Sequence, residues 1–183
     1  MDRYKLINGI YVYFVTFTVT EWLPVFVKPE PIEIFLNSMI FCINHKELRI
    51  NSFVIMPNHI HIILFNAHFD NNQLQKSITD LRKFTGNKLA DYIDNNHLTS
   101  FAAIIRSKKI GDRIRQFWQP SWHAEGIVTE QFLKQKMDYI HMNPVRKGLV
   151  SEPEDWALSS AAYWLLGKSC KIPLTPIEFE DKK

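Results

Sequence analysis

The sequence predicts an α+β fold of hairpin-paired strands with helices laid against them. Three observations carry this. Ile10 to Thr20 and Phe53 to Phe65 are runs of Val, Ile, Phe, Tyr and Thr that favour extended chain. The second run is interrupted only by Met56, Pro57 and Asn58, a connection short enough to pair its two halves as a hairpin. Pro29 to about His45 and Asn71 to about Asn95 instead repeat their apolar residues at helical spacing. The resulting order is strand, helix, two strands, helix, strand, helix.

Each element has its own warrant. In the first strand Tyr11, Tyr13, Val15, Phe17 and Val19 share a face; Glu21 to Val27 reads as a connection. The helix from Pro29 has Pro31 in its first turn, where a missing N–H costs nothing. Its stripe is Ile32, Phe35, Leu36, Met39 and Ile43. The hairpin run carries apolar residues on both faces, as an inner strand covered on both sides does. The helix from Asn71 places Leu74, Ile78, Leu81, Leu89 and Tyr92 on its apolar side, with Gly86 expected to weaken it. Lys76, Arg82, Lys83 and Lys88 make it basic. Asn96 to Gly111 reads as a short helix and loop, and Gln116 to Trp122 as a further strand. Thr129 suits an N-cap. Its helix is expected to end at Asn143, because Pro144 disfavours helical geometry in the residue before it. Leu133, Met137 and Ile140 form the core stripe of that helix, and Tyr139 and Asn143 share its flank with Phe132 and Lys136. Trp156 to Leu166 reads as a short apolar helix.

Length and composition bound the function. The 183 residues suggest one domain, 1–183, with a core over about 8–166 and a peripheral tail over 167–183. Hydrophobic content of 46% and charged content of 22% match a soluble globular protein, and no apolar run is long enough to span a bilayer. Net charge of +3 permits a nucleic-acid partner without demanding one. Cys42 and Cys170, the only cysteines, form neither a CxxC motif nor a disulfide framework. The first residues, Met1 to Lys5, have no apolar signal segment. A cytoplasmic location is expected.

Two groupings carry chemistry. His59 and His61 lie on one face of an inner strand, about 7 Å apart at Cβ, so both rings can lean toward one ion. The alternative is a pair of hydrogen-bonded core histidines. Arg106, Lys108, Lys109, Arg113 and Arg115 fall within ten residues and run into Phe117, Trp118 and Trp122. Cations beside aromatic rings suit a groove for a single strand, in which the cations follow phosphates and the rings stack on bases. The alternative is a surface hairpin with Trp118 in the core. Arg82 and Lys83 join Lys108, Lys109, Arg113, Arg115 and Trp118 as the candidate DNA-binding set.

These pieces resemble a known family. His59, Ile60 and His61 look like the HUH motif, two histidines around a bulky hydrophobic residue. Tyr139 to Val150, Tyr-Ile-His-Met-Asn-Pro-Val-Arg-Lys-Gly-Leu-Val, closely resembles the tyrosine helix of the REP-associated tyrosine transposases, a branch of the single-tyrosine HUH transposases. Val54 to His61, Phe117 to Gln119 and Trp156 to Ser160 also have counterparts there. The likeness runs over about residues 10–165, in the family's order.

The resemblance implies a ferredoxin-like sandwich, a central antiparallel sheet with helices packed on it. It implies metal-dependent cleavage and rejoining of single-stranded, hairpin-associated DNA through a covalent 5′-phosphotyrosine. Tyr139 matches the nucleophile, and His59 and His61 match two metal ligands. Asn143 matches a third ligand, given as Gln in other branches; it keeps the amide oxygen but shortens its reach. Phosphate chemistry favours Mg²⁺ or Mn²⁺, while the histidines alone would also accept Zn²⁺. The partner implied is single-stranded DNA with hairpin structure, bound by a monomer or homodimer, with no membrane. His141, about 200° around the helix from Tyr139, reads as structural or as support for a ligand. Two other readings stay open: a DNA-binding module that does not cut, and a small metallohydrolase that has no use for Tyr139.

Overall fold

The computed structural model describes residues 6–96, 98–107, 114–120 and 122–179. Strand β1 is Val12–Thr18, helix α1 Pro29–His45, strands β2 and β3 Leu48–Ile55 and His59–Asn66, and helix α2 Asn71–Asn95. Then come α3, Thr99–Ser107, β4, His123–Gly126, α4, Glu130–Arg146, and α5, Ala161–Leu166. The sheet order is β2-β3-β1-β4, with every neighbouring pair antiparallel. This is the ferredoxin-like βαββαβ arrangement with α4 added.

Alternation along the strands gives the sheet two apolar faces. Tyr13, Val15, Phe17, Ile60, Ile62 and Leu64 pack with α1 and α2. Val12, Phe14, Val54, Ile63 and Phe65 pack with Leu133 and Ile140 of α4. An irregularity in β2 between Ile50 and Ser52 resets its alternation. Leu48, Ile50, Phe53 and Ile55 therefore all meet the α1/α2 face, and Val54 meets α4.

Helices α1 and α2 match the predicted spans. Gly86 does not break α2: a Cβ there would lie 3.3 Å from Trp118 Cδ1, so the glycine makes room for that indole. Asp70 caps α2 by accepting from the backbone N–H groups of Asn72 and Gln73. Thr129 caps α4 as expected.

Four local expectations are corrected. Helix α4 continues through Pro144 to Arg146. A proline in the last turn removes one intrahelical bond, and Lys147 N–H still reaches the carbonyl of Asn143. The fourth strand begins at His123 rather than within Gln116–Trp122, because Phe117 and Trp118 sink into the core; Trp118 makes one isolated bridge, to Val19. The helix expected from Trp156 begins at Ala161. The residues before it instead bond the outer edge of β2, with Ile55 N–H donating to Leu158 O and Trp156 Nε1 to Ile55 O. The segment after Gly167 is not peripheral throughout. Thr175 N–H donates to Ile50 O, and Ile172 is fully buried.

Candidate active site

The site is built where β3 begins. His59 and His61 are adjacent on the α4 side of the strand, 7% and 5% exposed, with ring centroids 4.8 Å apart. Each is oriented through Nδ1. Asn58 Oδ1 lies 2.7 Å from Nδ1 of His59. Thr16 Oγ1, placed opposite by the β1–β3 register, lies 2.8 Å from Nδ1 of His61. With Nδ1–H donating to these oxygens, both Nε2 lone pairs are left for another partner, the arrangement that supports metal-ligating histidines. Burial, then the charge of Lys147, lowers the pKa of His59 to about 4 against a small opposing pull from Asn143. Burial, then His59 and Lys136, lowers that of His61 to about 3. Both rings are neutral at pH 7, the form that ligates.

Helix α4 brings the other half. The Tyr139 ring meets His61 edge-on at 5.2 Å and Phe14 at 5.8 Å, while Phe14 stacks on His61 at 5.2 Å. Tyr139 is 39% exposed, so its ring packs on the site while part of it faces solvent. One turn on, Asn143 is 5% exposed; its side chain approaches His59, whose charged form it favours, but its buried Oδ1 accepts no well-formed hydrogen bond. A buried acceptor left in this way is costly unless something fills it. Among the described residues no three His, Cys, Asp or Glu side chains converge. A cation here would therefore depend on the Asn143 amide as its third protein donor, and the orphaned oxygen fits that need.

Two cations flank the tyrosine: Arg146, and Lys136, which helical spacing had put on the same flank without a role. Arg146 lies over its ring at 5.5 Å. Lys136 sits 4.6 Å above Phe14 and pairs with Glu125 at 2.8 Å. Gln135, Lys136, Asp138, Tyr139 and Arg146 line a hollow of about 350 Å³. The spacing of Lys136 and Arg146 around Tyr139 on one helix was the available signal. Thr16 and Asn58 were missed too. Asn58 adjoins His59 in sequence, but Thr16 becomes visible only once strand register is known.

No family model matches the chain. Over 115 residues, 63% of the chain, it is 23% identical to the REP-associated tyrosine transposase of Escherichia coli strain K12. It spans 55% of that protein's length, about half. A solved REP-associated tyrosine transposase bound to a REP hairpin superposes over 99% of this chain and 96% of its own, with 16% identity and a TM-score of 0.62. This chain resembles the REP-associated tyrosine transposases in sequence and in fold. A putative transposase from Deinococcus radiodurans matches over 76% of this chain and 95% of its own, at 14% identity and a TM-score of 0.46.

On this transposase-like fold the other predicted residues fall elsewhere. Arg82 and Lys83 are on α2, which packs on the sheet face opposite the histidines. Arg82 donates to Gln119 O at 2.6 Å and covers Phe17. Lys83 lines a separate hollow of about 710 Å³ between α1 and α2. Arg115 is committed to Asp91 and Asp94 at 2.7 and 2.8 Å. Lys108, Lys109 and Arg113 lie outside the described residues. Trp118 is 4% exposed, stacks on Phe26 and donates to Thr85 Oγ1. The core alternative for Trp118 thus holds: no base can stack on it without opening the core. His141 turns away from the site; its Nε2 lies 2.9 Å from Ser160 Oγ, which also accepts from Phe53 N–H and so ties α4 to β2.

Proposed function

We propose that this chain cleaves and rejoins single-stranded DNA through a covalent 5′-phosphotyrosine on Tyr139. The observation that carries the reading is the meeting of Tyr139 with His61, ring to ring at 5.2 Å within one chain, beside the unpartnered Asn143 oxygen. His59 Nε2, His61 Nε2 and Asn143 Oδ1 would hold a divalent cation, Mg²⁺ or Mn²⁺, with positions left for phosphate and water. Such a cation, when bound, polarises a phosphate oxygen as a Lewis acid.

The chain's own residues account for the rest. The Tyr139 oxygen attacks the phosphorus, an O–P bond to tyrosine forms, and the P–O3′ bond breaks. The phenol proton is given up, and the departing 3′-oxygen is protonated. The 5′-phosphate stays on the enzyme, so the 3′-hydroxyl of another strand reverses the step without ATP. Covalent catalysis of this kind divides one hard step into two easier ones. Arg146 sets positive charge beside the ring, where negative charge builds on phosphate, while Lys136 is paired with Glu125. Thr16 and Asn58 hold the imidazoles in one tautomer and orientation.

Hairpin-bearing DNA is the proposed substrate because the fold relative was solved on a REP hairpin. Since Tyr139, His59, His61 and Asn143 meet within one chain, no exchange of α4 between copies is required. The test is incubation with a single-stranded hairpin library and Mn²⁺, followed by sequencing of strands trapped on protein. Wild type should carry a covalent adduct on Tyr139, and Tyr139→Phe should carry none while keeping its fold. An undiminished adduct in that variant refutes the assignment.

A further inference from the structure

Trp22 stands out once Trp118 is placed in the core. Its indole is 55% exposed and lies edge-on to the His59 ring at 5.7 Å. Val19, Thr20 and Leu23 are buried and anchor the turn, while Glu21 and Trp22 at its tip are exposed. A tryptophan more than half exposed on an anchored turn, in ring contact with a candidate ligand, is unusual enough to need a reason.

The backbone supplies a second observation. Glu21 and Trp22 both hold positive φ, 51° and 56°, which residues with side chains rarely adopt. Two such residues in succession are maintained only when the surroundings dictate it. Here they do. Trp22 N–H donates to Val19 O at 2.9 Å, and Thr20 is fixed by Phe117 O through its N–H and by Gln116 O through its hydroxyl. Val19 N–H donates to Asn58 O at 3.0 Å, and the same Asn58 holds Nδ1 of His59 through its side chain. One residue therefore sets both the turn that presents the indole and the ring it faces.

We propose that Trp22 is a stacking platform for the nucleobase next to the phosphate bound at His59 and His61. The inference rests on the reading of the site as a single-strand DNA active site. An indole offers its face to any base, so the contact places the strand and leaves its sequence unread. A strand engaging Tyr139 passes the histidines, and Trp22 is in contact with the first of them. The base on that side has an exposed aromatic surface already in place, with no side-chain reorganisation needed. Stacking there would fix the nucleotide flanking the cleaved bond and so align the phosphorus with Tyr139.

The test uses Tyr139→Phe protein, which binds without turnover, with a hairpin strand selected by its binding to that protein and with Mn²⁺ present. Single abasic sites are scanned along the whole single-stranded part of that strand. Trp22→Ala should weaken binding of the intact strand roughly 5- to 150-fold, and Trp22→Phe should retain most of it. An abasic site at one position should weaken the Trp22 protein by a similar factor and add nothing in Trp22→Ala. Unchanged affinity in Trp22→Ala overturns the proposal. So does an equal loss on intact and abasic strands, which would make the residue merely structural. If the wild type forms no covalent adduct but the Trp22–abasic coupling persists, stacking stands and the cleavage reading falls. If the protein binds no single strand at all, both fall.

Discussion

Replacing Asn143 with leucine should make the metal-free protein more stable and at the same time remove its response to metal. The side chain is buried, and its Oδ1 accepts no well-formed hydrogen bond, although His59 lies close to the amide. Leaving such an acceptor unsatisfied costs about 1–3 kcal/mol, and an apolar group of similar shape removes that cost. For a chain of this size each kcal/mol moves the melting temperature by about 2–4 °C, so Asn143→Leu should melt about 2–12 °C above wild type in chelator. Added Mn²⁺ should reverse the order. Saturation at about a hundred times Kd stabilises the wild type by about 2.7 kcal/mol, and the variant should gain much less, having lost one of its three protein donors. The assay is thermal unfolding followed by circular dichroism, with chelator and with a Mn²⁺ series. Two results would refute the reasoning. A variant that melts well below wild type in chelator shows that the oxygen is satisfied in the folded chain. A variant that keeps the full Mn²⁺ shift shows that Asn143 is not a ligand.

Other outcomes follow from the same structure. His61→Ala should abolish metal-dependent cleavage, and wild-type cleavage that survives thorough chelation would remove the metal from the scheme. His141 is buried neutral, with its pKa lowered by burial from 6.5 to about 4. The unfolded chain therefore takes up the proton first: stability is full above pH 6.5, falls as the pH drops, and has lost about 3 kcal/mol from this group by pH 4. Urea midpoints at pH 7 and pH 5 should show the loss, and His141→Gln should reduce it; an unchanged pH dependence in that variant would count against His141 as the cause. Trp118→Ala should cost about 3–5 kcal/mol of stability through the cavity left among Phe17, Phe26 and Phe35. Its folded fraction should bind single strands as well as wild type does, which a direct stacking role would not allow.

Local pattern carried a large part of this protein. The stripe from Ile32 to Ile43 bounded α1, and the one from Leu74 to Tyr92 bounded α2, because helical spacing is written within a few turns of chain. Strand alternation likewise put His59 and His61 on one face, and helical spacing put Tyr139 and Asn143 on one flank before any contact was known. What alternation could not say is which face of β3 meets which helix. That depends on strand pairing between residues far apart in sequence, such as Thr16 opposite His61, and on the irregularity near Asn51 that resets β2. The same non-local terms sent Trp118 inward, beneath Gly86 and beside Thr85, and left Trp22 outside on a strained turn. Composition treats the two indoles alike, since both are large and amphipathic; only the space left by the packed sheet and helices separates a core residue from one that faces solvent.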